Sequence, residues 1–296
     1  MPPRMNGRLI TGALLAGAFA TLALLSLVWT PAPLTQLDIA ARLQAPSASH
    51  WLGTDHLGRD VLSLLMRGAA TSLGVASLAV ALGALIGVPL GLWAAARAGW
   101  LDELLMRGND IVFAFPPLLL AVLLTTALGP GAVSAILAVG VFNIPVFARV
   151  ARGLALPLWQ REFVLAARVA GKGQGRISRE HVLPNVAGGL VVQLSLQLSL
   201  ALLAETGLSY IGLGTQPPQP SWGRMLADAQ TLTALAPTLA LFPGLAVALA
   251  VLAFHLLADG LREWLDPHRE ARRARGCNCR TCGSRWPASP GCTGWT

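Results

Sequence analysis

The chain alternates between long stretches without a charged side chain and short segments that hold all of its Lys, Arg, Asp and Glu. Residues 9–28 form a charge-free run of twenty, 68–96 of twenty-nine, 111–148 of thirty-eight, 182–204 of twenty-three and 229–258 of thirty. A helix crossing a bilayer needs ~20 predominantly apolar residues, because ~1.5 Å of rise each must cover ~30 Å of hydrocarbon. The longest run exceeds one ordinary crossing, and Leu128-Gly129-Pro130-Gly131 divides it: Pro lacks the N–H and Gly favours a turn. Five runs therefore predict six membrane helices, at roughly 9–29, 70–95, 111–128, 132–150, 186–206 and 237–258. The expected fold class is all-α, a polytopic membrane protein.

Composition agrees: 54% of residues are hydrophobic and 12% charged, against roughly 25% charged in a soluble domain. Lys and Arg set the orientation. With the N-terminus inside, eighteen of the 22 basic residues fall on inner segments, and only Arg42, Arg59, Arg67 and Arg224 fall outside. Basic residues near span ends resist translocation, so N-in, C-in is expected. The net charge of +8 is then mostly topology, and no nucleic-acid partner is implied. Arg4, Arg8 and Ala18-Phe19-Ala20 imitate a cleavable leader, yet the apolar run continues past that point to Val28 and Trp29, which favours a retained helix.

Within this frame a few polar or small residues stand out. In the outer segment, His50, Asp55, His56 and Asp60 are residue types that bind metal, but their spacing fits no closed site. Thr54, Asp55 and Asp60 read better as loop and helix caps before a short surface helix at 61–66. Gly83, Gly87 and Gly91 stack on one helical face, so another helix can approach closely. Asp102, Glu103, Arg107 and Asp110 read as a polar inner turn. Gln193 and Gln197 share a face, with Ser195 and Ser199 nearly opposite; both faces need protein or water, and the two glutamines with Glu205 are candidates for lining a pathway. Glu205 is expected near the outer interface in a capping or pairing role. Residues 210–223 suggest a stiff non-helical connection with Trp222 as interfacial anchor.

The longest inner loop, 151–185, has the most distinctive pattern. Glu162 to Ala170 makes a short amphipathic helix with Arg161 and Arg168 outward, Gly171-Lys-Gly-Gln-Gly175 breaks it, and 177–183 reads as a second short helix ending at Pro184. Two helices around a flexible turn, with small Ala166 and Ala167 on one face, form a compact knob for docking. An interfacial helix pair on anionic lipid would also want these basic residues.

Ala166-Ala167, Gly171 and Leu183-Pro184 resemble the cytoplasmic loop of binding-protein-dependent ABC-importer permeases. The usual Glu-Ala-Ala opening is Leu165-Ala166-Ala167 here, which puts any ion pair of that Glu in doubt. The resemblance runs over about residues 8–268. It includes 52–63, Asp102-Glu-Leu-Leu-Met-Arg107, Phe113-Ala-Phe-Pro116, 209–214, 217–226, Leu241-Phe-Pro-Gly244 and Asp259-Gly-Leu-Arg262. Together these look like the second permease subunit of dipeptide, oligopeptide and nickel importers. That implies a type I importer permease domain over 9–268, in the bacterial cytoplasmic membrane. It also implies a second permease chain as partner, two ATP-binding subunits on the cytoplasmic side, an external substrate-binding protein and surrounding lipid. The chain carries no Gly-xxxx-Gly-Lys-Ser/Thr loop, and its sole lysine is Lys172, so ATP hydrolysis belongs to other subunits and no cofactor is expected. A coupling role falls on Glu162, Leu165, Ala166, Ala167, Gly171, Leu183 and Pro184.

The segment 269–296 is basic and contains all four cysteines, Cys277, Cys279, Cys282 and Cys292, with spacing that is no strong zinc template. It is expected to be a disordered extension. A self-sufficient secondary transporter would need a buried relay of ionisable groups, and no helix carries a second embedded carboxylate beside Glu205. A membrane hydrolase would need partners for His255. Peptide import is the leading reading, with nickel-complex import by the same family as its alternative.

Overall fold

The structure, a computed structural model, describes residues 7–34, 37–97 and 99–265 of the chain. The expected tail at 269–296, and most of the N-terminal segment 1–8, lie outside the described residues.

Four helices are continuous and long enough to cross beside α1 (Gly7–Val28): α2 (Val61–Arg97), α5 (Ala132–Ala155), α8 (Leu183–Ile211) and α10 (Thr238–Leu265). The remaining apolar segment, where a further crossing is expected, is a bent pair of helices. α3 (Trp100–Ala114) and α4 (Pro117–Leu128) meet at 85° around Phe115 and Pro116. This corrects two expectations: 111–128 is not one helix, and Asp102 to Asp110 is not a turn but part of α3. Pro116-Pro117 explains the break, because a residue preceding proline is driven out of the α region; Phe115 is extended, with ψ of 124°. The polar residues of α3 hold it to the inner end of α5. Arg152 Nε and Nη2 donate to the two Asp102 oxygens at 2.5 and 2.6 Å, and Arg149 pairs with Asp110 while lying 4.3 Å from the Phe113 ring centre. At the far end of α4, the Gly131 N–H donates to Leu213 beyond α8. The bent pair thus joins the two ends of the bundle.

The same ends gather the remaining connections. Leu9 of α1 packs on Gly260 of α10, and Gly188 faces Leu265, so residues 7, 97, 155–183 and 265 share one end. By the distribution of basic residues this is the cytoplasmic end.

Close helix approach is set by glycine. A Cβ at Gly83, Gly87 or Gly91 would lie 2.4 Å from Asn143 Cβ, 2.4 Å from the Ile144 oxygen and 2.2 Å from the Ala148 oxygen respectively. The α2 stripe is therefore pressed directly on the α5 backbone. In α1 and α10 the arrangement is reciprocal: Gly12 abuts Leu257 and Gly260 abuts Leu9. Without a hydrophobic effect between helices inside lipid, such backbone proximity carries the packing.

α2 begins nine residues before the expected start, absorbing the short helix foreseen at 61–66. Apolarity marks only the part of a helix that meets lipid, and α2 continues beyond it past Arg67. Asp60 caps it, its Oδ2 accepting from Ser63 N and Ser63 Oγ, both at 2.8 Å. A cap of this kind stabilises a helix by ~1 kcal/mol.

Trp222 does not anchor at an interface. It is fully buried as the first residue of α9 (Trp222–Ala229), edge-on to Phe19, with Nε1 donating 3.0 Å to the Leu65 oxygen and its N–H to Ser72 Oγ at 3.2 Å. The stretch is too polar to read as core from sequence, and only the helix pair around it supplies the indole's partner.

Candidate functional site

The cytoplasmic loop folds onto the inner ends of α2, α5 and α8 rather than projecting freely. Trp159, Val164, Ala167, Ile177 and Val182 are buried with Leu92, Ala95, Ala151, Ala155 and Val186 in one apolar cluster. α6 (Glu162–Val169) ends in two bonds: Gly171 N–H to the Arg168 oxygen at 2.9 Å and Lys172 N–H to the Ala167 oxygen at 3.1 Å. This is the paired stop in which a left-handed residue follows the helix, and Gly171 supplies it with φ of +79°.

Ala166 and Ala167 part company here. Ala167 faces the loop's own core, while Ala166 is exposed, so the expected small-residue face is not a single outward surface. The outward side of α6 instead carries Glu162, Phe163, Leu165, Ala166 and Val169, with Leu165 46% and Val169 90% exposed. These last two are one turn apart and make an apolar step beside Ala166.

The second expected helix does not stop at Pro184. α7 (Gln174–Ile177) runs through a π turn, Ser178–Val182, into α8 without a break. Pro184 lacks the N–H that would bond the carbonyl four residues earlier and its ring crowds that carbonyl, so a widened turn relieves both problems. Asn185 Nδ2 donates 2.6 Å to the His181 oxygen one turn back. Leu183 and Pro184 therefore form a stiff junction between loop and span. On the solvent side Glu180 accepts from Lys172 and Arg176, both at 2.6 Å, and these bonds hold its carboxyl down at about 2. Lys172 thus ties the turn after α6 to the start of α8.

The other candidates lie in the bundle. Gln197 is buried, and its Nε2 donates 2.9 Å to Asn143 Oδ1, while Asn143 Nδ2 donates 2.9 Å to the Val139 oxygen. This joins α8 to α5 beside Gly83. The two amides were legible as rare polar groups in apolar helices, but not as a pair. Gln193, one turn earlier, is half-buried. Ser199 lies 3.3 Å from His255 Nε2, an α8–α10 contact.

Glu205 lies in α8, which runs on to Ile211, and its carboxyl is fully buried. Its Oε1 accepts from Ser209 Oγ at 2.7 Å, Ser209 Oγ accepts from Thr215 N at 3.1 Å, and Oε2 has no hydrogen bond among the described residues. Beside it, a Cβ at Gly223 would lie 2.3 Å from the Thr206 oxygen. The segment after α8 is thus folded back and locked against α2 and α8. The outer metal-type residues are spent similarly. Asp55 accepts from Leu57 N, Arg59 N and Arg59 Nε, each at 2.8 Å, and Asp60 pairs with His50 Nδ1 at 3.1 Å.

A bundle of apolar crossings with a packed, partly apolar cytoplasmic knob is the architecture of a transporter's membrane subunit. The chain belongs to the family described as binding-protein-dependent transport system inner membrane component, which matches residues 87–271. It is a permease subunit of an ABC importer in the bacterial inner membrane, with the type I importer fold. Among its relatives, the dipeptide transport system permease protein DppC of Alkalihalophilus pseudofirmus is 38% identical over 264 residues, covering 89% of this chain and 87% of that protein. The glutathione transport system permease protein GsiD of Pectobacterium atrosepticum is 43% identical over 224 residues, 76% and 74% of the two chains. GsiD of Escherichia coli O6:K15:H31 is 46% identical over 222 residues, 75% and 73%. An inward-facing structure of the MetNI methionine ABC transporter superposes with a TM-score of 0.57 at 19% identity, covering 69% of this chain and 97% of that one, and supports the fold.

Proposed function

We propose that this chain forms half of a translocation pathway for di- and oligopeptides, pairing with a second permease chain and coupled to two separate ATPase subunits. The observation that carries the substrate is the likeness, over most of the chain, to permeases named for a dipeptide and for glutathione, both short peptides. An external binding protein delivers the peptide to the outer end. ATPase closure pushes on α6, and the continuous run from α7 through the π turn transmits the push to α8 as a rigid body.

The docking surface in this reading is Leu165, Ala166 and Val169, flanked by Glu162, with Ala167, Gly171, Leu183 and Pro184 supporting it from behind. An apolar contact at position 165 replaces the ion pair that a Glu would make.

The test is reconstitution of the chain with its neighbouring subunits and measurement of ATP-dependent uptake of dipeptides, glutathione and nickel complexes. Uptake of the peptides is expected. Uptake of nickel complexes alone, or transport by this chain without ATPase, overturns the reading. Ala166→Arg should insert normally yet lower ATPase association about tenfold or more, since an unpaired charge in an apolar contact costs more than ~1.4 kcal/mol.

A further inference from the structure

The inner end holds a cavity that the transport cycle as described does not use. It measures about 590 Å³ and lies between the last three turns of α2 and the junction of α7 with the π turn. One wall is apolar, made by Val88, Leu92 and Trp93; the other end carries Arg97, Ser178 and Arg179. Among the described residues no acidic side chain lines it. Neither Arg97 nor Arg179 makes an ion pair or a side-chain hydrogen bond among the described residues; Arg161, Arg168 and Arg262 at this end make no ion pair there either, but only Arg97 and Arg179 line this cavity. The outer cavity offers a contrast. Its Asp55 and Asp228 are already matched by Arg59 and Arg224, so it has no charge left to offer a ligand.

We propose that the inner cavity is a binding site for an anionic glycerophospholipid of the cytoplasmic leaflet, its phosphate between Arg97 and Arg179 and an acyl chain along Val88, Leu92 and Trp93. Position supports a lipid over a soluble anion. Arg97 is the last residue of α2, and the apolar wall belongs to the charge-free run that meets hydrocarbon. Trp93 is half exposed one turn further into that run, where aromatic rings favour the headgroup level. Basic pockets between helices on this side suit anionic headgroups. The π turn opens at Ser178 and so sets the register at which Arg179 reaches the cavity. The occupied site would brace α2 against the start of α8, beside the surface on which the ATPase is proposed to push; the lipid site itself does not depend on that reading or on what is transported.

The experiment uses the full chain, purified with its partner subunits and alone, in nanodiscs of phosphatidylglycerol or of phosphatidylcholine. A phosphatidylglycerol probe with a photoreactive acyl chain is cross-linked, digested and mapped, and lipid retention is read by native mass spectrometry. Retention of phosphatidylglycerol with cross-links at residues 88–93 is expected. An Arg97→Gln/Arg179→Gln double variant, checked for normal insertion and a monodisperse elution profile, should retain at least about tenfold less. Trp93→Ala should shift the cross-links while keeping most of the retention. Equal retention of the two lipids, an unchanged double variant, or cross-links confined to the isolated chain and lost in the assembly would overturn the site; the last would show that a partner protein covers it.

Discussion

The two ends of this bundle are held by different forces. At the outer end, buried side chains bond to backbone across long sequence separations: Trp222 to Leu65, Ser63 Oγ to Ala32 N at 2.9 Å, and Thr54 to both Ala41 and Gln44 N. Gly53 and Gly58 turn left-handed there, and a Cβ at Gly58 would overlap the Asp38 oxygen. At the inner end the loop rests on Val, Ile and Ala packing, with ion pairs in water along its rim. Hydrogen bonds are directional and expensive to break when buried, whereas apolar contacts tolerate small sliding. The outer end is thus fixed by directional bonds, and the inner end suits the proposed role of receiving and transmitting a displacement.

Four substitutions probe that contrast. Trp222→Ala removes the largest buried side chain of the outer lock and leaves the Leu65 oxygen without its donor; a loss of ~3–5 kcal/mol is expected, read as collapse of the monodisperse fraction in fluorescence-detected size exclusion. Asp60→Ala strips the α2 cap and the partner of His50, for a loss of ~1–2 kcal/mol in detergent thermal shift. Gly171→Ala, at the inner end, meets no neighbouring atom within 4 Å but strains a left-handed residue, and should cost ~1 kcal/mol. Leu165→Glu lies on an exposed surface, so stability should stay within ~0.5 kcal/mol while ATPase association changes. An inner substitution costing more than Trp222→Ala would reverse the assignment of lock and lever. A Leu165→Glu variant with unchanged ATPase association would remove position 165 from the docking surface.

Much of the fold was legible because lipid imposes one simple requirement on sequence. A span must satisfy its backbone internally and present apolar side chains, so charge-free runs mark it directly. The glycine stripe was legible as a close-packing face, though its partner α5 was not. Boundaries were poorly legible wherever a helix leaves hydrocarbon. Val61 to Arg67, the polar start of α3 and the passage through Pro184 are helical for reasons that hydropathy does not encode: a cap, ion pairs to α5, and a π turn. In the loop, amphipathic spacing located α6 correctly but assigned Ala167 to the wrong side, because its apolar positions exceed what one buried face requires.

What the sequence determined by itself is the order of the long apolar helices, the small-residue stripe and the place of the longest polar loop between α5 and α8. Each follows from local composition acting against a bilayer. Only the tertiary structure decided that Trp222 is core, that Gln197 bonds to Asn143, that Glu205 is buried with Ser209, and that Arg97 and Arg179 line one cavity. Those pairings join residues on different helices, and whether a polar group is satisfied depends on what folding brings beside it.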